Sequence, residues 1–476
     1  MNKKNMLARV IEWGIYLLVF LLPWQVRLMW KMGEVAGGYL EYGTFSLYGT
    51  EILLLVLVVL NLVRIGGDRG DKGNKGDRGF LRYFIVLFFV VSCLSIFWAT
   101  DSDLALYKFG VLLEGFLFFW LIFSSGVGRK KIAWMIVLSG GLQAGLGVWQ
   151  FLAQHVAGNK WLGMATQWPM DNGVSVVGTE LRRWLRAYGS LPHPNILGGW
   201  LVIGLILCVG LYESVYGTLV AKWGSQETKR GFSAMVLMLF FVVMFSGLLT
   251  TFSRGAWIAF FVSLLIYWFI NLLKKDKLGS VVGAKFLIIA VLITVMFGLA
   301  FREPFLARVK GEGRLETKSI EQRKGAYREA KEVITKNWLR GAGLGNYTLY
   351  LYDADLRTIF DSAGMEGYMG LSKEGGIAEK NAWDYQPVHN VWLLVWGEIG
   401  ILGVILFGLI FLFIALKALK AGKRLPAYGL VMLVIFILSL FDHYFWSFYF
   451  GVMVWWLVLG LSILSTSSRP SGKDEV

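Results

Sequence analysis

Residues 387–400 read PVHNVWLLVWGEIG, and the chain changes there from a long polar segment to a long apolar one. The polar segment covers residues 302–388 and contains the run SIEQRKGAYREAKEVITKNW at 319–338. Almost everything on either side of that segment is apolar enough to lie in a bilayer. The sequence therefore predicts a membrane protein with one large loop, and His389 stands at the exit of that loop.

The composition supports a helical membrane protein. The chain has 476 residues, of which 56% are hydrophobic and 17% are charged. Its repeated apolar runs of about 18–25 residues suit helices, because in lipid every backbone amide must be paired within its own segment. The alternating segments of a transmembrane barrel are absent. We predict an all-α polytopic integral membrane protein with about twelve transmembrane helices and one large extracytoplasmic loop that contains an amphipathic helix.

The positive charge follows the membrane topology. The formal net charge is +15, yet the polar segment at 302–388 holds nearly equal numbers of acidic and basic residues. Just over half of the lysines and arginines fall in segments that we assign to the cytoplasm, which is the positive-inside bias of short loops. This placement argues against a nucleic-acid partner.

The first apolar run, from residue 10 to about residue 30, resembles a signal peptide but lacks a small-residue cleavage site, so we predict a retained first helix. Both termini are then cytoplasmic, and the main polar clusters share the outer face of the cytoplasmic membrane. Helices 1–5 are predicted within 1–193, a region that also holds a glycine-rich cytoplasmic linker at 66–79 and an outer loop at 156–193. Helices 6–9 follow within 194–301 and lead to the large extracytoplasmic loop at 302–388. Helices 10–12 lie within 389–465, before a cytoplasmic tail at 466–476.

Two arginines are candidate anion ligands. Arg254 lies in TTFSRGAW, a very tight break between two spans, and Gly255 beside it permits a close approach. An arginine there either anchors the helix at the interface or offers its planar fork to phosphate oxygens. Arg323 belongs to an amphipathic helix and shares its apolar stripe, which includes Tyr327, Ala330, Ile334 and Trp338. We therefore predict that Arg323 points inward, either as a snorkelling side chain or toward an anionic partner.

Histidines supply the candidate base. His389 is suited to proton transfer near neutral pH, and a structural histidine bonded to the backbone is the alternative. Asp442, beside His443, is a candidate for orienting or replacing that base. His193 and Asn195 in LPHPN either line the outer cavity or only cap a helix. The four histidines show no spacing typical of a zinc site, so we predict no metal. GAGLGNY at 341–347, the glycine turn, is predicted to end the amphipathic helix.

Four motifs together resemble the O-antigen ligase and polymerase superfamily of bacterial membrane glycosyltransferases. They are, in chain order, GSLPHPNILGGWL at 189–201, TTFSRGAWIAF at 250–260, QRKGAYREAKEVITKNWLRGAGLGNY at 322–347, and VHNVWLLVWGEIGILG at 388–403. The resemblance is strongest from about 186 to 410. One departure is that TKNWLRGAG lacks the proline expected before the glycines.

The resemblance implies a reaction and roles for individual residues. Such enzymes move a glycan from undecaprenyl diphosphate to a hydroxyl at the outer face of the inner membrane, with inversion and without metal, cofactor or nucleotide sugar. Arg254 and Arg323 would bind the diphosphate, and His389 would be the catalytic base. The residues that would support them are Asn390, His193, Asn195, Arg186, Asp442 and His443. The acceptor would be lipid A core for a ligase or a second lipid-linked glycan for a polymerase, and a protein hydroxyl is a third outcome.

A polytopic transporter is the alternative from a different class. Transporters keep ionisable residues near the middle of the bilayer, and Glu114 and Glu398 are among the few acids within the predicted spans. Because most polar clusters lie at one face instead, the sequence favours an enzyme that works at the membrane surface.

Overall fold

The computed structural model describes residues 3–66, 79–180, 182–221, 227–311, 314–356, 380–420 and 427–467. Apart from their end residues, the predicted linker at 66–79 and the predicted tail at 466–476 lie outside this part of the chain.

Helices dominate the described chain. They are α1 (Lys3–Leu21), α2 (Gly49–Gly66), α3 (Gly79–Leu94), α4 (Ser102–Ser125), α5 (Arg129–Ala153), α6 (Pro194–Ala221), α7 (Glu227–Thr250), α8 (Arg254–Leu273), α9 (Lys277–Ala300), α10 (Arg302–Lys310), α11 (Arg314–Asn337), α12 (described over 347–356), α13 (Val391–Lys420), α14 (Ala427–Phe441), α15 (Tyr444–Ser447) and α16 (Tyr449–Ser467). Two antiparallel pairs complete the fold: β1 (Arg27–Val35) with β2 (Gly38–Tyr48), and β3 (Val176–Gly178) with β4 (Arg183–Leu185).

The helical, multi-pass architecture is confirmed. Within the described residues, nine helices are long and apolar enough to cross a membrane, namely α2 to α9 and α13, where the α3 span continues into the short turn that ends at Trp98. α14 and α16 are apolar but shorter, and α1 is not among the nine. The count of about twelve spans therefore stays a prediction.

The region after the first helix differs from the prediction. α1 ends at Leu21, so the predicted first span, to about residue 30, is too long. The chain then forms the β1–β2 hairpin, whose turn residues Ala36 and Gly37 both have positive φ, as the tight turns of twisted hairpins require. Arg27 donates to Glu41 through both terminal guanidinium nitrogens and links the two strands. The all-α description thus holds for the membrane-spanning part but omits two small sheets.

α6 lies at the centre of the bundle. Almost nine-tenths of its apolar span is buried, and it packs against α5, α7, α8, α9 and α14. A helix that is apolar on all sides is expected in such a position. Its first turn therefore brings the LPHPN segment to the middle of one end of the bundle.

The glycine turn fills a break in α13. At Gly400 the helix is interrupted by a positive φ of 74°. The amides of Ala342 and Gly343 donate to the carbonyls of Gly397 and Glu398, both at 2.8 Å, so the helix carbonyls at the break remain paired. The predicted continuous helix ten is therefore interrupted, and the glycine turn supports α13 as well as ending α11.

Candidate active site

The break between α7 and α8 is held open by two buried arginines. Arg186 Nε donates to the carbonyl of Thr251, and Arg308 Nε donates to the carbonyl of Phe252, each at 2.7 Å. These bonds pair carbonyls that the end of α7 leaves without helical partners. Phe252 adopts a positive φ of 48°, which turns the chain sharply so that α8 begins at Arg254.

Three arginines from separate elements meet in one cavity of about 340 Å³. We call it the arginine cavity. Arg254 comes from the start of α8, Arg308 from α10 and Arg323 from α11. The other lining residues are Asn195, Ser253, Gly255, Ala256, Leu438, Phe441, Asp442 and Tyr444. Its described lining residues carry three guanidinium groups and one carboxylate, a balance that favours an anionic ligand.

The predicted stripe of α11 is only partly buried. Ala330 and Ile334 are buried, and Arg323 is half-buried at the arginine cavity. Tyr327 and Trp338, however, are 41% and 55% exposed. α11 packs against α13. An amphipathic helix that lies on a surface buries fewer of its own side chains than a helix enclosed on both sides.

A chain of polar side chains leads to Asp442. Arg186 Nη2 donates to Asn195 Oδ1 at 2.6 Å, and Asn195 Nδ2 donates to Asp442 Oδ2 at 2.8 Å. The other oxygen of Asp442 accepts the backbone N–H of His443 at 2.8 Å. Both carboxylate oxygens are therefore fixed, and Asp442 is held as a rigid wall of the arginine cavity.

Asp442 lies between two histidines. His389 Nδ1 is 3.7 Å and His443 Nε2 is 4.0 Å from Asp442 Oδ1, and the two rings stack with centroids 5.1 Å apart. We call these three residues the acid–histidine cluster. His443 Nδ1 is 2.7 Å from Ser447 Oγ, which fixes that ring. His389 Nδ1 is buried and has no hydrogen-bond partner among the described residues, so Asp442 is the group that it faces.

The charges of this cluster are set by burial and by each other. Burial alone would raise the pKa of Asp442, but the approach of His389 and the neighbouring His443 and His193 outweigh it and hold that pKa well below its usual range. Burial lowers the pKa of His443 to about 3 against the attraction of Asp442. Burial also lowers the pKa of His193 to about 3, with Arg186 acting in the same direction. At neutral pH Asp442 is therefore an anion beside uncharged His443 and His193.

Two of the predicted supporting residues lie behind the cavity wall. His193 Nε2 is 2.9 Å from Ser175 Oγ, and its Nδ1 accepts the N–H of Asn195 at 3.1 Å. Asn390 accepts the N–H of Leu393 at 3.1 Å and so caps the start of α13. Both side chains position their neighbours, and neither lines the arginine cavity.

Within the part of the chain that the structure describes, the acid–histidine cluster also has its side chains close enough together to hold a metal ion. The candidate ligand atoms of its three residues lie within 4.8 Å of one another, although their sequence spacing does not indicate a zinc site. Both oxygens of Asp442 already accept hydrogen bonds, and three arginines line the same cavity. A divalent cation would meet strong repulsion there, so these charges favour an anion.

Sequence reasoning missed three residues at this site. Arg308 and Tyr444 line the arginine cavity, and the Tyr42 ring contacts His443 with centroids 5.5 Å apart. Arg308 lies in a short helix with no distinguishing pattern. Tyr42 belongs to the β1–β2 hairpin. The Ala36–Gly37 turn, with aromatic residues in the flanking segments, would have indicated this hairpin from the sequence.

A comparison with known protein families finds the O-antigen ligase family over residues 239–408. This region contains Arg254, Arg308, Arg323 and His389, whereas Asp442 lies beyond it. A search of curated proteins finds no match. The family indicates a membrane enzyme of O-antigen ligase or polymerase type that handles lipid-linked glycans. Residues 239–408 are thus similar to the O-antigen ligase family, and over that part of the chain the resemblance to the O-antigen ligase and polymerase superfamily is confirmed.

Proposed function

We propose that this protein transfers a glycan from undecaprenyl diphosphate to an acceptor hydroxyl, without metal and with inversion at the anomeric carbon. The reaction would take place at the outer face of the bacterial cytoplasmic membrane, with both termini in the cytoplasm. Lipid A core is the acceptor in a ligase, and a second lipid-linked glycan is the acceptor in a polymerase. We propose the ligase and keep the polymerase as the alternative.

The observation that supports this proposal is the meeting of Arg254 and Arg323 beside the Asp442–His389 pair. Arg254, Arg323 and Asp442 come from distant parts of the chain and line a cavity of about 340 Å³. His389 does not line that cavity and reaches it through Asp442, whose carboxylate lies 3.7 Å from His389 Nδ1. Guanidinium forks bind phosphate oxygens in pairs, and they stabilise the negative charge that a departing diphosphate develops. A diphosphate is already a good leaving group, so neutralising its charge matters more than a general acid.

The proposed reaction is a single displacement. His389 takes the proton of the acceptor hydroxyl, and the acceptor oxygen forms a bond to the anomeric carbon. The bond from that carbon to the diphosphate oxygen breaks on the opposite side, and undecaprenyl diphosphate leaves with both electrons of the bond. Because His389 Nδ1 faces Asp442, Nε2 is the nitrogen that would accept the proton. Asp442 would stabilise the imidazolium that forms.

Glu398, one of the acids within the predicted spans, is held by hydrogen bonds that stabilise the fold. Glu398 Oε2 accepts the N–H of Gly345 at 2.8 Å and Trp446 Nε1 at 2.7 Å. These bonds fasten α13 to the glycine turn and to α15. They give Glu398 a role in holding the fold, which weakens the transporter alternative that rested partly on this residue.

The test is transfer in proteoliposomes that contain undecaprenyl diphosphate-linked glycan and lipid A core. Arg254→Gln, Arg323→Gln and His389→Gln should each lower transfer by at least about 100-fold, because each removes a transition-state contact. Arg328→Gln is the matched control, since Arg328 is exposed on the same helix as Arg323. Full transfer by all three variants, together with loss of uptake of a solute, would favour the transporter instead.

A further inference from the structure

A second, larger cavity lies behind the β1–β2 hairpin. Together with the open space at its mouth, it has a volume of about 750 Å³. Its walls come from the hairpin, α4, the glycine turn, the start of α12 and the segment around α15. We call it the hairpin cavity. The reaction steps proposed above assign no role to this cavity.

The hairpin cavity adjoins the acid–histidine cluster. Tyr42 lines the cavity, and its ring contacts His443. Ser447, which lies next to His443 Nδ1, and Pro387, two residues before His389, also line it. The arginine cavity is instead bounded by Asp442. The two cavities therefore meet the same cluster through different residues.

The walls of the hairpin cavity suit a sugar. Seven aromatic residues line it, and Tyr42, Tyr347 and Trp446 are among them. Aromatic rings offer apolar faces to the C–H groups of a sugar ring, while their polar tips and nearby fixed groups can bond to its hydroxyls. This combination of faces and hydrogen-bonding groups is well matched to a neutral polyol.

The charges separate this cavity from the arginine cavity. Arg27 is paired with Glu41 through two hydrogen bonds, and Lys108 and Glu398 bring one further charge of each sign. The formal charges of the four lining ionisable groups therefore cancel. A balanced, aromatic cavity favours an uncharged sugar over a diphosphate, in contrast to the three arginines of the neighbouring cavity.

Among the described residues that line this cavity, Tyr347 and Tyr449 each have a buried hydroxyl without a hydrogen-bond partner. The Tyr347 side chain is 1% exposed, and its hydroxyl has no hydrogen-bond partner among the described residues. A buried hydroxyl without a partner is costly, and in native proteins such a group commonly serves a ligand or a water molecule. Tyr347 lines the hairpin cavity, so a sugar hydroxyl there is a suitable partner.

We propose that the hairpin cavity is the subsite for the acceptor sugar. This inference rests on the proposed function. In a displacement the acceptor approaches from the side opposite the leaving group. If the diphosphate occupies the arginine cavity, a sugar in the hairpin cavity presents its hydroxyl from the other side of the acid–histidine cluster, where His389 removes the proton.

The experiment measures the KM of the acceptor at saturating donor, with lipid A core in one arm and a second lipid-linked glycan in the other. Inhibition by inorganic pyrophosphate is measured in parallel and reports on the arginine cavity. Tyr347→Phe should raise the acceptor KM by about 2- to 12-fold, which corresponds to one lost neutral hydrogen bond. Its inhibition constant for pyrophosphate should not change. Tyr350→Phe is the matched control, because Tyr350 is on the same helix and does not line the cavity.

Tyr42 provides an independent variant. Tyr42→Leu removes the aromatic face and should raise the acceptor KM by about 2- to 12-fold, whereas Tyr42→Phe should keep it near the wild-type value. The subsite is overturned if Tyr347→Phe and Tyr42→Leu leave the acceptor KM unchanged, or if they raise the pyrophosphate inhibition constant equally. A wild-type protein that transfers no glycan to either acceptor would instead remove the proposed function itself.

Discussion

Replacing Asp442 by asparagine tests how the candidate base is activated. Asp442 is an anion whose carboxylate oxygen lies 3.7 Å from His389 Nδ1. When His389 takes a proton, the two opposite charges attract with about 4.5 kcal/mol at an effective dielectric constant of roughly 20. If the transition state develops between half and all of that charge, the loss corresponds to a rate decrease of about 50- to 2,000-fold. Asp442→Asn keeps the shape of the side chain but removes this attraction.

The same substitution also disturbs a hydrogen-bond chain. Both oxygens of Asp442 accept bonds, from Asn195 Nδ2 and from the His443 backbone N–H. Asn195 already uses its own oxygen for Arg186, so it has no acceptor to offer to the new amide at its present orientation. One bond is therefore lost, which costs about 1–3 kcal/mol of folding stability. The assay must therefore compare equal amounts of folded protein.

The assay is the initial rate of glycan transfer in proteoliposomes, normalised to protein that elutes as a folded peak and melts cooperatively. Asp103→Asn is the control, because the Asp103 side chain is 83% exposed at the start of α4, and it should match the wild type. A folded Asp442→Asn protein whose rate stays within threefold of the wild type would refute the role of Asp442 beside His389.

Three further predictions concern His193, Gly400 and the acid–histidine cluster. The unfolded chain binds a proton at His193 below pH 6.5, and the native chain does so only below about pH 3. As the pH is lowered through that window, the free energy of unfolding should therefore decrease by about 1.4 kcal/mol per pH unit for each such histidine. His193→Asn should therefore flatten the pH dependence of melting between pH 6.5 and 5, and an unchanged slope would count against a neutral, buried His193. A Cβ at Gly400 would lie 2.1 Å from the Leu339 oxygen at a positive φ, so Gly400→Ala should destabilise the protein by about 1–3 kcal/mol in thermal unfolding. Gly408→Ala in the same helix meets only an ordinary 3.6 Å contact and should be nearly neutral, whereas equal effects of the two variants would argue against strain at the break. A chelator should leave transfer unchanged, and a loss restored by one divalent cation would instead assign a metal to the acid–histidine cluster.

The membrane helices could be predicted from the sequence because hydropathy is a local property. The group of helices predicted to begin at residue 194 starts at the same residue as α6. Arg323 could be placed toward the interior from its helical stripe, since a period of 3.6 residues fixes which side chains share a face. The polar break at Arg254 was visible because five polar or small residues interrupt two apolar runs, namely Thr250, Thr251, Ser253, Arg254 and Gly255.

Other features depend on contacts between distant parts of the chain. Nothing near Asp442 in the sequence indicates that Asn195, 247 positions earlier, holds its carboxylate. The break of α13 at Gly400 is stabilised by the glycine turn, and the intervening loop hides that pairing from local patterns. The hairpin cavity likewise forms only when the hairpin and α15 meet. Long-range packing of this kind cannot be derived from periodicity alone.

The most direct test of His389 as the base is single-turnover glycan transfer by His389→Gln at saturating donor. This variant should still bind undecaprenyl diphosphate-linked glycan, because the arginine cavity is intact, while its transfer rate should fall by about 100- to 10,000-fold. A His389→Gln protein that binds donor and transfers glycan within threefold of the wild-type rate would contradict the assignment of His389 as the base.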